Sequence, residues 1–378
     1  MKELGVYIHI PFCSSKCYYC DFVSFSNQDY KIAGYIDYLK REMDLYKEYL
    51  KDYTVKTIFI GGGTPSYLEG HFIVEILEHL DKNFNLKQVE EITIEANPGT
   101  LNGKKLYQYK GAGINRISLG VQSLNDRLLK SLGRSHTSMD FFRNYELIRE
   151  MGFNNINVDL IFGLPDQTIE DCINTLKKVI DLGVEHISYY SLILEENTMM
   201  KKWYQEGRIQ LPQEEIERQM YHRGIDLLKD SGYKHYEISN FSKEGFECKH
   251  NLFYWKLKPY IGLGIGAHSN ISNKRFWNHS DFKYYYNSLD QGKIPISGEE
   301  IIDKDMEIAE YMILGLRLVK GINKKEFANR FKLNIEDIYK GVLDKHEKGG
   351  LLYTDHEWVR FTPKGLDLSN LVYVDLLP

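Results

Sequence analysis

Through its first half the chain alternates short strand-like runs with longer amphipathic stretches, and no other feature restricts the fold as strongly. β-Branched and aromatic runs occur at Val6–Ile10, Thr57–Ile60, Glu91–Ala96, Arg116–Gly120, Asn155–Ile161 and His186–Ser191. Between them, Tyr35–Leu50, Phe72–Leu80, Phe141–Met151 and Ile169–Leu182 carry apolar residues at helical spacing. Strands that alternate with helices pair in parallel, because parallel neighbours need a crossover connection. An α/β fold is therefore expected over residues 1–200, with helices covering a parallel sheet. Periodicity alone leaves open whether that sheet is doubly wound or bent into a partial barrel.

The pattern loosens over 201–298, where a helix at Gln213–Leu228 precedes an aromatic stretch, Tyr233–Trp255, and the glycine-rich run Ile261–Gly266. Over 299–378 three helical segments, Lys304–Leu318, Lys324–Phe331 and Ile335–Lys348, are followed by a candidate hairpin, Leu351–Phe361. That order suggests a winged-helix-like domain. Residues 301–378 hold 12 Lys and Arg against 13 Asp and Glu, so the unit lacks the basic face that nucleic acid demands. The formal net charge of the whole chain, −5, gives no reason to expect a polyanionic partner either.

No apolar run is long enough to span a bilayer, and Val6-Tyr7-Ile8-His9-Ile10 reads as a strand rather than a signal peptide. A cytoplasmic protein with reduced thiols is expected. Five cysteines are too few and too clustered for a disulfide framework. Three of them form Cys13-Ser-Ser-Lys-Cys17-Tyr-Tyr-Cys20, spaced C-x3-C-x2-C, directly after the first strand-like run. Three local thiolates with no fourth suit an iron–sulfur cluster that keeps one iron open for an exchangeable ligand. The alternative is a zinc knuckle completed from a distance, for example by His9, but no second C-x2-C pair is present.

The cysteine spacing after a first strand resembles the radical S-adenosylmethionine superfamily. The segment Tyr7-Ile-His-Ile-Pro-Phe-Cys-Ser-Ser-Lys-Cys-Tyr-Tyr-Cys-Asp-Phe is similar to its coproporphyrinogen-oxidase-related branch, and the likeness extends over the whole chain. It implies a partial (β/α)6 barrel with a smaller C-terminal domain, and a [4Fe–4S] cluster on Cys13, Cys17 and Cys20. Residues matching those around S-adenosylmethionine in that family are Tyr7, Tyr19, Gly62, Gly63 and Thr64, then Glu95, Gln122, Arg134 and Asp159. The methionine end would meet the open iron near the glycine run and the adenine would lie by Tyr19. Reduction of the cluster would then split the cofactor, with an external electron donor as partner. Read without the resemblance, the Gly61-Gly62-Gly63-Thr64-Pro65 run is equally an ordinary tight turn, and structural ion pairs are the alternative for Glu95 and Arg134.

Two absences set the chain apart from the oxidases of the branch. They carry a further cysteine two positions after the third ligand, where Phe22 stands, and an N-terminal arm, where six residues precede Tyr7. His250-Asn-Leu-Phe-Tyr254-Trp255 looks like a motif associated with heme binding in heme-trafficking members of the branch. Neutral imidazole is a suitable axial ligand and adjacent aromatics suit a macrocycle, although a histidine among aromatics is more often a packing residue. The resemblance thus implies heme, delivered to an accepting protein, with His250 and Tyr254 as heme-site candidates and His268 as a second possible ligand. Cys248 belongs to no C-x-x-C-H attachment motif, and Cys172 is expected to be packed within a helix. A coproporphyrinogen decarboxylase and a heme-modifying or heme-degrading radical enzyme are the alternatives.

Overall fold

The computed structural model describes residues 1–378. Six strands, β1 (Lys2–Ile10), β2 (Tyr53–Gly62), β3 (Glu91–Ala96), β4 (Arg116–Gln122), β5 (Ile156–Phe162) and β6 (His186–Ser191), lie side by side in chain order. All five pairings among them are parallel. The connections are helical: α1 (Ile32–Tyr46), α2 (Gly70–Asn83), α3 (Gly103–Gly111), α4 (Asp126–Ser131), α5 (Ser138–Glu150) and α6 (Ile169–Asp181). Two of these starts are fixed by capping boxes, Thr137 with Asp140 and Thr168 with Asp171.

The strands alternate in character, which is unusual for a parallel sheet covered on both faces. Val6, Ile8, Ile58, Ile60, Ile94, Ile117, Leu119, Ile156, Val158 and Ile187 are buried against the helices. The opposite parity holds Tyr7, His9, Thr57, Glu95, Ser118, Asp159, His186 and Tyr190. Tyr190 on β6 reaches Gln122 on β4 across the intervening strand, as inward curvature requires. The fold is the expected partial (β/α)6 barrel, and its inner face is polar.

Residues 201–298 continue the same sheet. β7 (Lys234–Glu237) and β8 (Asn240–Ser242) extend it beyond β6. On the other side β9 (Tyr260–Leu263) joins β1, followed by β10 (His268–Ile271), β11 (Lys274–Asn278) and β12 (Ile296–Ile301). The associated helices are α7 (Met199–Gln205), α8 (Glu214–Asp230), α9 (Lys249–Trp255) and α10 (Phe282–Asp290). The glycine run turns the chain at the end of β9, where Gly264 has φ +102° and a Cβ would lie 2.3 Å from the Tyr35 hydroxyl oxygen.

A separate core, from Ile308 to Leu376, belongs to the C-terminal unit: α11 (Lys304–Gly315), β13 (Ile322–Asn323), α12 (Lys324–Phe331), α13 (Ile335–Lys348), β14 (Leu352–Thr354) and β15 (Trp358–Phe361). Its small sheet runs β13-β15-β14, the winged-helix arrangement, and α14 (Pro363–Asp367) and α15 (Ser369–Leu376) complete it. No helix is long and apolar enough to cross a membrane.

Candidate functional site

The loop after β1 carries the three cysteines over the C-terminal ends of the barrel strands, where parallel barrels gather their chemistry. It is held by backbone on both sides. Gly63 N–H donates to Ile10 O and Thr64 N–H to Phe12 O, while Cys13 N–H donates to Phe25 O and Phe25 N–H to Pro11 O. The glycines allow this close approach. A Cβ on Gly63 would fall 2.7 Å from Phe12 O, and one on Gly62 2.5 Å from the His9 ring, with Gly62 at φ +110°.

Cys13, Cys17 and Cys20 line one cavity together with Tyr19, Gly62, Gly63, Thr64, Glu95, Gln122, Arg134 and Asp159. Eleven of the residues expected from sequence thus meet there. The Arg134 guanidinium ties the loop to the strands: it donates to Asn97 Oδ1 at 2.7 Å, to Gly120 O, and to Cys17 Sγ at 3.5 Å. Thr64 Oγ1 accepts from Asn97 Nδ2 at 3.0 Å, which leaves its own proton for Cys13 Sγ at 3.5 Å. Burial raises the Cys13 thiol above its ordinary range and pushes Cys20 up to about 11, so a bound cation is needed to hold them as thiolates.

These donors fit an iron–sulfur cluster better than a single zinc. Three cysteines line one cavity with no fourth thiol beside them, the ligand set of a cluster that keeps one iron open. His9 is committed elsewhere: its Nε2–H donates to Val23 O at 2.7 Å and Nδ1 accepts the Tyr7 hydroxyl at 3.0 Å. Burial holds this imidazole neutral, down to about 4. The same bonds place Tyr7 beneath the cavity wall, its ring against Phe59, rather than among the lining residues.

The floor holds two carboxyls. Glu95 accepts Gly62 N–H at 3.1 Å, and burial followed by the nearby Asp159 charge pushes it up to about 8. Burial also raises Asp159, which accepts Ser118 Oγ at 3.2 Å and Asn157 Nδ2 at 2.7 Å. Gln122 sits at φ +68°, a left-handed backbone for a non-glycine residue, and its Oε1 accepts the Tyr190 hydroxyl at 3.0 Å. Asn97, Ser118 and Tyr190 line the cavity without having been singled out from sequence. The signal for Ser118 and Tyr190 was their parity with Glu95 and Asp159; for Asn97 it was the Asn-Pro-Gly turn closing β3.

His250 and Tyr254 lie apart from this cavity, on α9 beneath the barrel. His250 is 1% exposed and both ring nitrogens are engaged, Nδ1 with Thr57 Oγ1 at 2.9 Å and Nε2 with the Tyr254 hydroxyl at 2.9 Å. Its ring stacks on Phe59, and burial drives it down to about 3, so it is neutral. His268 is exposed on β10 and stacks against Trp277. Cys172 is packed on α6, and Cys248 precedes α9 with its thiol 3.6 Å from Glu91 Oε1.

The sequence profile described as the radical SAM superfamily matches residues 7–179, and that of the HemN C-terminal domain matches 302–368. A protein named heme chaperone HemW from Lactococcus lactis is 38% identical over 100% of this chain and 98% of its own length. Proteins of the same name from Bacillus subtilis and Escherichia coli are 37% and 34% identical, each over 98% of both chains. The solved structure of the Escherichia coli coproporphyrinogen III oxidase HemN, described as a radical SAM enzyme, superposes with TM-score 0.86. It is 25% identical, over 99% of this chain and 90% of that one.

Proposed function

This chain belongs to the radical S-adenosylmethionine superfamily, in its HemN-like family, and from that premise we propose that it is a heme chaperone. It binds heme and passes it to an accepting protein, and it carries a [4Fe–4S] cluster ligated by S-adenosylmethionine. The observation that carries the reading is full-length identity of 34–38% to relatives named heme chaperones. Phe22 supports it: 62% exposed at the cavity mouth, it provides an apolar edge where a further cysteine would provide a thiol.

In this reading Cys13, Cys17 and Cys20 would hold the cluster, with Thr64 and Arg134 orienting the sulfurs of Cys13 and Cys17. Gly62, Gly63 and Thr64 flank the methionine end of the cofactor, Tyr19 its adenine, and Glu95, Gln122 and Asp159 its hydroxyls and sulfonium, with Tyr7 supporting them from below. When bound and reduced by an external donor, such a cluster would supply the electron for reductive cleavage of S-adenosylmethionine, while the chain's residues bind and orient it. Burial raises both floor carboxyls, Glu95 to about 8, and hydroxyl donors together with a cation would favour their charged forms. His250 Nε2 would hold the heme iron, which requires the Tyr254 hydroxyl to release it. The free thiols suit a reducing compartment, so we assign the protein to the cytoplasm, with 1–200, 201–298 and 299–378 as barrel, heme segment and accessory domain.

The test is heme titration of the anaerobically reconstituted chain. Stoichiometric binding weakened about tenfold or more by His250→Ala is expected for loss of one iron ligand; no heme binding would remove the proposal. The decarboxylase reading is favoured by the HemN superposition. It predicts product from coproporphyrinogen III with reductant and S-adenosylmethionine, where the chaperone reading predicts none.

A further inference from the structure

A chain of hydrogen bonds crosses the barrel interior from the cofactor cavity to α9. Asn157 Nδ2 donates to Asp159 Oδ1 at 2.7 Å and also to Ser118 Oγ at 2.7 Å, which fixes the amide so that its Oδ1 is an acceptor. That oxygen lies 2.6 Å from His186 Nδ1. His186 Nε2 lies 2.8 Å from the Tyr236 hydroxyl, and the Tyr236 oxygen accepts the N–H of Cys248, the residue preceding α9, at 3.3 Å.

The polarity of this chain is determined. His186 is fully buried and held neutral, so it carries one N–H. Asn157 needs that proton on Nδ1, and Nε2 must then accept from Tyr236. Every donor from Cys248 to Asn157 therefore points the same way, towards the Asp159 carboxyl. Such aligned bonds reinforce one another, and a negative charge at the accepting end strengthens the series. The same helix is pinned from a second side by Glu91, which accepts Lys249 N–H at 3.0 Å and His250 N–H at 3.1 Å.

We propose that this chain couples the two ligand sites, so that S-adenosylmethionine bound over Asp159 tightens the seat of α9 and weakens heme ligation by His250. The inference rests on the assignment of those sites above. Cofactor hydroxyls donating to Asp159 would fix the acceptor on which the donor series ends, whereas heme ligation requires His250 to leave Tyr254, and α9 to yield. Coupling of this kind is reciprocal, so heme weakens cofactor binding by the same factor. Heme release on cofactor loading follows without any bond being cleaved.

The test is heme titration of the full-length, cluster-reconstituted protein without reductant, with and without saturating S-adenosylmethionine, in wild type, Tyr236→Phe and His250→Ala. Tyr236→Phe deletes one hydroxyl and both of its bonds while keeping the ring; His186→Gln is the second break should the first fail to fold by thermal melting. In wild type the cofactor is expected to raise the heme dissociation constant about fivefold or more, and in Tyr236→Phe to leave it unchanged. Equal heme affinities with and without cofactor in wild type, or an effect that persists in both relay variants, overturns the coupling. A heme affinity indifferent to His250→Ala instead removes the ligand assignment on which it rests, so the two failures are told apart.

Discussion

At the scale of single residues, the site is held by contacts that leave no room for alternatives. Gly62 combines φ +110° with the His9 ring 2.5 Å from where a Cβ would stand. Gly62→Ala is therefore predicted to cost about 2 kcal/mol in denaturant unfolding, from left-handed strain and displacement of His9, and to lower iron loading; unchanged loading would contradict this. Glu95 offers a pH test. Its folded-state carboxyl is raised to about 8 against an ordinary 4.5. The unfolded chain releases this proton first, so the stabilising contribution is complete below pH 4.5 and is lost as pH rises towards 8. Melting temperatures of the cofactor-free protein should fall over that interval by more in wild type than in Glu95→Gln. Parallel curves would show that Glu95 titrates normally.

At the scale of elements, Glu42 on α1 shows how the added strands are fastened to the barrel. This fully buried carboxylate accepts Gly264 N–H at 2.7 Å, Asn278 Nδ2 at 2.6 Å and the Tyr285 hydroxyl at 2.6 Å, joining α1 to β9, β11 and α10. Glu42→Ala leaves the buried Gly264 N–H and Tyr285 hydroxyl without a partner, and Asn278 Nδ2 with Gly264 O alone, and is predicted to destabilise by about 3 kcal/mol in denaturant titrations; a change below 1 kcal/mol would place the fastening elsewhere. Such connections mark where the sequence ceased to be legible. The six barrel strands were readable because their outward residues are apolar at every second position, whereas β1 begins at Lys2 and β2 at Tyr53 through backbone pairing that needs no pattern. The short helices α3 and α4 were missed because their apolar positions are too few to show a period. That Cys13, Cys17 and Cys20 would come together was legible from their spacing alone. The seat of His250 was not, because its partner Thr57 lies 193 positions away and only the fold brings them together.

At the scale of the whole molecule, the C-terminal unit closes what the barrel leaves open. Ile238 N–H donates to Arg317 O and Val319 N–H to Tyr236 O, covering the outer edge of β7. Arg317 lies over the Trp255 ring at 4.3 Å, and Arg330 donates to Leu257 O at 3.2 Å, so the unit also backs the end of α9. Removing residues 302–378 should uncover that strand edge and produce concentration-dependent association on size exclusion. A truncated chain that elutes and melts like the intact one would show that the unit is an independent appendage. A cysteine-lined cavity lies at one end of a polar barrel and a seated imidazole at the other. The central claim is that both serve heme traffic. Its most direct test is anaerobic cluster reconstitution followed by heme titration, with S-adenosylmethionine cleavage and coproporphyrinogen turnover followed in the same sample. The account predicts stoichiometric heme bound alongside the cluster and no decarboxylated product. Decarboxylation of coproporphyrinogen without heme binding would contradict it.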